Sequence, residues 1–351
     1  MKPSLPSLQA AFLSTVLLTG TSLVCAEQSP AALNLGEQIT VSGISSGGYM
    51  ANQYHIAHSD TVAGAGIIAA GPYYCSEGNL MVAMKQCLAD GSPLSEKELI
   101  APMQQLASQA SIASLANLQQ DRVWLLHGTL DKRVGADVSS ALALQYGEVT
   151  SNKNIRFIND KPFNHGLPTA DFGLDCSVSA TPFINNCDFD AATELLHWLY
   201  PQKKQANPNN KPQNTNKGTL YTLSQPSQIN GRATGLDDSA SLYVPKQCES
   251  GASCDLHISF HGCQQNAATI GNKYVQNSGF NAVADQLDLV VLYPQIASNN
   301  PLNPLACWDW WGYTGDDFAQ RSGPQMSAIA TMVETLKQSP KDALSVAAGG
   351  K

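Results

Sequence analysis

The residues best suited to chemistry are a serine, a carboxylate and an imidazole, each placed just beyond a short apolar run. Gly43-Ile44-Ser45-Ser46-Gly47 is a G-x-S-x-G string lying between a β-rich stretch, residues 38–44, and the helically spaced SSGGYMANQYHIAHSD. A sharp strand-to-helix turn of this kind exposes the middle hydroxyl, and small neighbours let the backbone bend that tightly. The helix that follows would aim the positive end of its dipole at the site. Ser45 is therefore read as a nucleophile, against the alternative of an ordinary Gly-Ser turn. A serine needs a base, and the base needs an orienting carboxylate. Asp131 follows the run VWLLHG through Thr129-Leu130, at what would be a strand's carboxyl end, whereas Asp90 and Asp121 lie in polar loops. His165 stands in Phe163-Asn164-His165-Gly166-Leu167-Pro168, a Gly/Pro loop past the run NIRFIND. His127 sits inside the strand before Asp131 and reads as packing; His55, His58 and His197 fall on helical stretches.

Acyl transfer also needs N–H donors aimed at the developing oxyanion. The backbone N–H of Ser46, next after the nucleophile, is one candidate. The second normally comes from a loop after an earlier strand, often bearing His-Gly. Here His261-Gly262-Cys263 follows the run DLHISF, after the three reactive residues rather than before them. A circular permutation resolves the order, if residues 218–337 supply the half of the sheet that usually precedes the nucleophile strand. A Cys263 thiol acting as nucleophile is disfavoured, because its neighbour His261 would seldom face it and an exported thiol would oxidise. Trp308, Trp310 and Trp311, beside Tyr313, would make an apolar wall near that loop, with Tyr73 and Tyr74 adding to it.

The elements that must position these groups read as an alternation of strands and helices. Strands are expected at 38–44, 61–70, 123–126, 155–158, 219–223, 241–244, 255–260 and 289–293. Helices are expected after Ser45, over DFDAATELLHWLY with Asp188 or Asp190 as cap, around 280–287 and over 325–337. Such alternation implies an α/β fold with a mostly parallel central sheet covered on both faces, and an antiparallel edge where strands follow one another without helices. Residues 202–217, QKKQANPNNKPQNTNK, hold no large apolar side chain and read as an exposed linker joining the permuted halves of one catalytic domain, 27–351.

Among 351 residues, 43% are hydrophobic and 14% charged, which excludes a disordered chain. Twenty Lys and Arg stand against 28 Asp and Glu, a net charge of −8 without a basic cluster, so nucleic acid is not an expected partner. Residues 1–26 read as a signal peptide: Lys2 is positive, 10–24 is apolar, and Val24-Cys25-Ala26 offers a cleavage site. Val24 is larger than a lipoprotein site at Cys25 usually carries. A secreted protein, extracellular or periplasmic, without membrane insertion after cleavage is expected. Eight cysteines remain, an even number that predicts disulfides. Proximity prefers Cys75 with Cys87, Cys176 with Cys187 and Cys248 with Cys254, leaving Cys263 and Cys307, although about a hundred connectivities exist. No CxxC pair is present, so a zinc site is disfavoured.

SGISSGGYMA, HGTLDKRV, FNHGLPT, SFHGCQQN and CWDWWGY, in this order, resemble the secreted single-domain poly(3-hydroxybutyrate) depolymerases, circularly permuted α/β hydrolases. The resemblance spans nearly all of 34–337. It implies Ser45 as nucleophile, Asp131 as orienting acid, His165 as general base, and the amides of Ser46 and Cys263 as oxyanion hole. It also implies that an aromatic of the 308–311 cluster lines the crevice, without saying which. No cofactor or metal is implied. The expected activity is ester hydrolysis by a monomer acting on a polyester or its oligomers. A feruloyl or acetyl carbohydrate esterase with the same machinery, a peptidase on this fold and a non-catalytic binding protein are the rivals.

Overall fold

The computed structural model describes Met1 and residues 33–88, 95–203, 218–338 and 344–346. The signal-peptide reading and all but two residues of the linker fall outside the described residues.

Nine strands form one sheet: β1 (Asn34–Ile44), β2 (Val62–Ile68), β3 (Arg122–Gly128), β4 (Ile155–Lys161), β5 (Thr219–Ser224), β6 (Ser239–Val244), β7 (Ser253–Phe260), β8 (Leu289–Tyr293) and β9 (Leu344–Val346). Their spatial order is β9-β5-β6-β8-β7-β1-β2-β3-β4. From β8 through β4 every neighbour is parallel, while β6 runs antiparallel to both β8 and β5, and β9 antiparallel to β5. The strands that follow residue 218 therefore complete the side of β1 that strands earlier in sequence leave open. This is an α/β-hydrolase sheet with its two halves exchanged along the chain.

Burial on both faces explains the unbroken apolar runs. Side chains alternate across a strand, so Val290 and Leu292 of β8 join one core while Leu289, Val291 and Tyr293 join the other. The first core takes in Met326, Ile329 and Met332 of the helix Pro324–Gln338, the second Leu195, Leu196 and Leu199 of the helix Ala191–Leu199. The latter starts on Asp190, not Asp188, whose carboxylate accepts from the Thr193 N–H at 2.9 Å. β1 is longer than its apolar run suggested, since its first residues are partly exposed. The helices Glu96–Ser108 and Ala136–Gly147 were not anticipated, nor was a small sheet of 167–169, 174–175 and 184–186.

All four expected disulfides are present: Cys75–Cys87, Cys176–Cys187, Cys248–Cys254 and Cys263–Cys307.

Beneath the Ser45 turn, His257 of β7 bridges two hydroxyls of β1, Thr40 Oγ1 at 2.7 Å and Ser42 Oγ at 2.8 Å. Burial pushes this imidazole down to about 3, and those of His58 and His261 to about 4. Each stays neutral in the fold yet protonates in the unfolded chain below about 6.5, so acid favours unfolding. Stability should therefore fall by about 1.4 kcal/mol per pH unit per such histidine between about 6.5 and 4. Urea unfolding across that window checks this, and His257→Gln should give a shallower slope.

Candidate active site

Ser45 closes the turn between β1 and the helix α1 (Ser46–Ala57) with φ 56° and ψ −125°. A non-glycine residue is strained there, a conformation that persists only where its surroundings enforce it. The Ser45 N–H donates to Ile68 O, and its carbonyl accepts from the Tyr49 N–H, both at 2.9 Å. Its hydroxyl does not cap the helix and remains available. Gly47 lets α1 press against the end of β7: a Cβ there would lie 2.2 Å from Phe260 O. Every residue of α1 is buried, so the helix is fixed on all sides.

Asp131 and His165 meet as the sequence implied. His165 Nδ1 lies 2.8 Å from Asp131 Oδ2, with both side chains buried. The other carboxylate oxygen accepts from the N–H groups of Arg133 and Val134 at 2.8 and 3.1 Å. Burial alone would raise the Asp131 carboxyl. The hydrogen bond and charge of His165, together with the two N–H groups, outweigh it and hold the group below the usual range. The two loops are joined by Leu130 N–H to Phe163 O at 3.2 Å and Thr129 N–H to Lys161 O at 2.9 Å. On the far side of His165, Asn164 N–H donates to Cys176 O and Leu167 N–H to Phe183 O, which ties the loop to the Cys176–Cys187 staple. His127 is buried against Ser139 Oγ at 3.1 Å, and burial lowers its pKa; it packs.

Gly262 approaches the serine closely, since a Cβ on it would lie 3.4 Å from Ser45 Cβ. Ile296 N–H points at His261 Nε2 at 3.3 Å, which makes that nitrogen the acceptor. The proton then sits on Nδ1, which donates to Gly262 O at 2.7 Å. Across a trans peptide the Cys263 N–H points the opposite way from that carbonyl. Gln265 locks the same turn: its Oε1 accepts from Gly262 N–H at 2.7 Å, and its Nε2 donates to Pro182 O and Phe183 O.

Ser45, Ser46, His165, Gly262 and Cys263 all line one cavity of about 440 Å³. Trp310 and Trp311 line it as well. Two aromatic expectations are corrected. Trp308 is fully buried, packed edge-on to Phe260 at 4.9 Å, and does not reach the cavity. Tyr73 is buried too, because its hydroxyl finds a partner inside, Ala319 O at 2.8 Å. Tyr49 takes its place from the first turn of α1, stacked on Trp310 at 4.6 Å. The loop carrying Trp310 and Trp311 is wound around Asp309, whose carboxylate accepts from the N–H groups of Trp311, Gly312, Tyr313 and Thr314 at 2.7–3.2 Å.

Sequence reasoning also missed Phe183, Arg133, Leu80, Met84, Leu302 and Leu305 in the lining. A signal did exist. Leu80 and Met84 lie within the Cys75–Cys87 loop, Phe183 within Cys176–Cys187, and Leu302 and Leu305 within Cys263–Cys307. Apolar residues confined to the disulfide spans of 12 and 11 residues cannot all reach the core, so some must face a cleft; the 44-residue Cys263–Cys307 span gives no such signal.

Sheet order, strained serine turn, His–Asp pair and shared cavity define the molecule as a serine hydrolase of the α/β class. No protein-family model matches the chain. The chain is 38% identical over 325 residues to a poly(3-hydroxybutyrate) depolymerase of Delftia acidovorans, covering 92% of this chain and 64% of that protein's length. It is 34% identical over 334 residues to a polyhydroxybutyrate depolymerase of Talaromyces funiculosus, covering 90% of this chain and 94% of the relative. Two solved structures match with TM-score 0.76, each over 87% of this chain and 97% of theirs. One is a serine-to-alanine variant of a PHB depolymerase complexed with an R3HB trimer, 33% identical; the other is a PHB depolymerase from Penicillium funiculosum, 34% identical. The chain belongs to the polyhydroxybutyrate depolymerase family.

Asp309→Ala would free the loop that carries the tryptophan wall. KM for a hydrophobic ester should rise about tenfold with a smaller change in kcat, and tryptophan emission should shift to the red. Steady-state kinetics and a fluorescence spectrum check this.

Proposed function

We propose that this chain is an exported esterase that hydrolyses poly(3-hydroxybutyrate) or its oligomers through an acyl-enzyme on Ser45. The observation that carries this reading is the 2.8 Å His165–Asp131 hydrogen bond opening onto the same apolar cavity as the strained serine. The ionised Asp131 holds the imidazole proton on Nδ1, leaving Nε2 as the base. His165 takes the Ser45 proton as Oγ attacks the ester carbonyl, and the N–H groups of Ser46 and Cys263 receive the oxyanion. The carbonyl–oxygen bond breaks, His165 protonates the departing alcohol, and water releases the acyl group by the same path.

The lining supports a polyester over a decorated polysaccharide. Trp310, Trp311, Leu302, Leu305, Leu80 and Met84 offer methyl-bearing chains contact, but few partners to sugar hydroxyls. Leu80, Met84, Leu302 and Leu305 are also about half exposed or more, which suits attachment to a solid hydrophobic surface. Four disulfides fit an oxidising compartment, with cleavage after Ala26 and a monomer whose triad lies within one chain. Among the described residues no helix is long and apolar enough to cross a membrane.

Clearing of a polyhydroxybutyrate suspension, run beside tributyrin and a feruloyl ester, tests the substrate; hydrolysis of the feruloyl ester alone would transfer the reading to carbohydrate esters. Ser45→Ala should lower kcat by at least about 10⁴-fold, and Asp131→Asn by a similar factor, with little change in melting temperature. An imidazole base must be neutral, so kcat/KM should fall about tenfold per pH unit on the acid limb. A flat acid limb would remove His165 from the role.

A further inference from the structure

We propose that Arg133 is a carboxylate receptor at the leaving-group end of the cavity, so that the site grips an oligo(3-hydroxybutyrate) by its free acid end. This rests on the esterase reading above. Among the described residues, Arg133 is the one lining residue with a permanent charge, and no carboxylate shares the lining. Its backbone N–H donates to Asp131, but its guanidinium reaches elsewhere. Nε donates to Ser179 Oγ at 2.9 Å, and Cζ lies 5.1 Å from the Phe183 ring centroid. Among the described residues it forms no ion pair, and no hydrogen bond occupies its terminal nitrogens. Phe183 in turn meets the His165 ring edge-on at 6.3 Å. The unpaired cation thus flanks the imidazole side of the cavity.

The chemistry gives that side a direction. The proton leaving Ser45 Oγ passes to His165 and then to the departing oxygen, so the alcohol half of the ester lies beside His165. In this polyester the alcohol half leads toward the chain's carboxyl end. When the scissile bond is the last one, that end is a free carboxylate a short methylene link from the reacting oxygen. At the solvent-exposed rim where Arg133 stands, the neighbouring apolar wall gives such a charge no other partner. A planar guanidinium with its terminal N–H groups free matches it in geometry and sign. The neutral interior of a polymer would have no use for this group.

The test compares a trimer of (R)-3-hydroxybutyrate as the free acid and as its methyl ester. Wild-type protein should prefer the acid by about tenfold in kcat/KM at low salt, less as salt rises. Arg133→Gln should collapse the acid-to-ester ratio toward one, and Arg133→Lys should retain part of it. A wild-type ratio near one, or a ratio that survives Arg133→Gln, overturns the receptor. Ser45→Ala on the same pair separates the two readings: turnover that persists there removes the esterase site itself, whereas a flat ratio in a Ser45-dependent enzyme removes only the receptor.

Discussion

The site depends on strand register. Gly43 of β1 is level with Phe260 on one side and with Ile67 on the other, in parallel pairing. Parallel strands that end at one level present their following loops together, which is why ligands gather at the carboxyl edge of such sheets. Ser45 and His261-Gly262 are each only a residue or two beyond that line, so a slip of one residue would turn β1 over and bury the serine's side chain on the wrong face. His257, clamped between Thr40 and Ser42, ties β1 to β7 just below the reactive end.

The electrostatics follow from a division between paired and unpaired groups. His165 is held by a carboxylate that is itself held by two backbone N–H groups, so one imidazole nitrogen is committed and the other left free. His261 has both nitrogens committed and is kept neutral by burial, which makes it a brace for the Gly262 peptide. The two histidines thus differ because their partners differ.

Much of this was legible in the sequence, and the reasons are local. G-x-S-x-G between a strand and a helix, a carboxylate after a strand and a histidine in a Gly/Pro loop each carry their context within a few residues. The misplaced His-Gly motif even forced the permuted order. Side-chain direction was not legible. Trp308 and Trp310 are two residues apart and chemically equal, yet one is core and the other wall, because the turn around Asp309 decides which way each points. Tyr73 was misread for the same reason: only the fold supplies the carbonyl of Ala319 that draws its hydroxyl inward. The helices Glu96–Ser108 and Ala136–Gly147 carry no chemistry-bearing motif that would have called attention to them.

Three of the four disulfides close loops that furnish lining residues, while Ser45, Asp131 and His165 are seated on turns beyond the sheet's own strands. The upholstery and the frame share two of these fasteners, since Cys176–Cys187 anchors the His165 loop and Cys263–Cys307 begins beside Gly262. Evolution could re-cover the Cys75–Cys87 loop freely, whereas a change at either of the other two would loosen the frame.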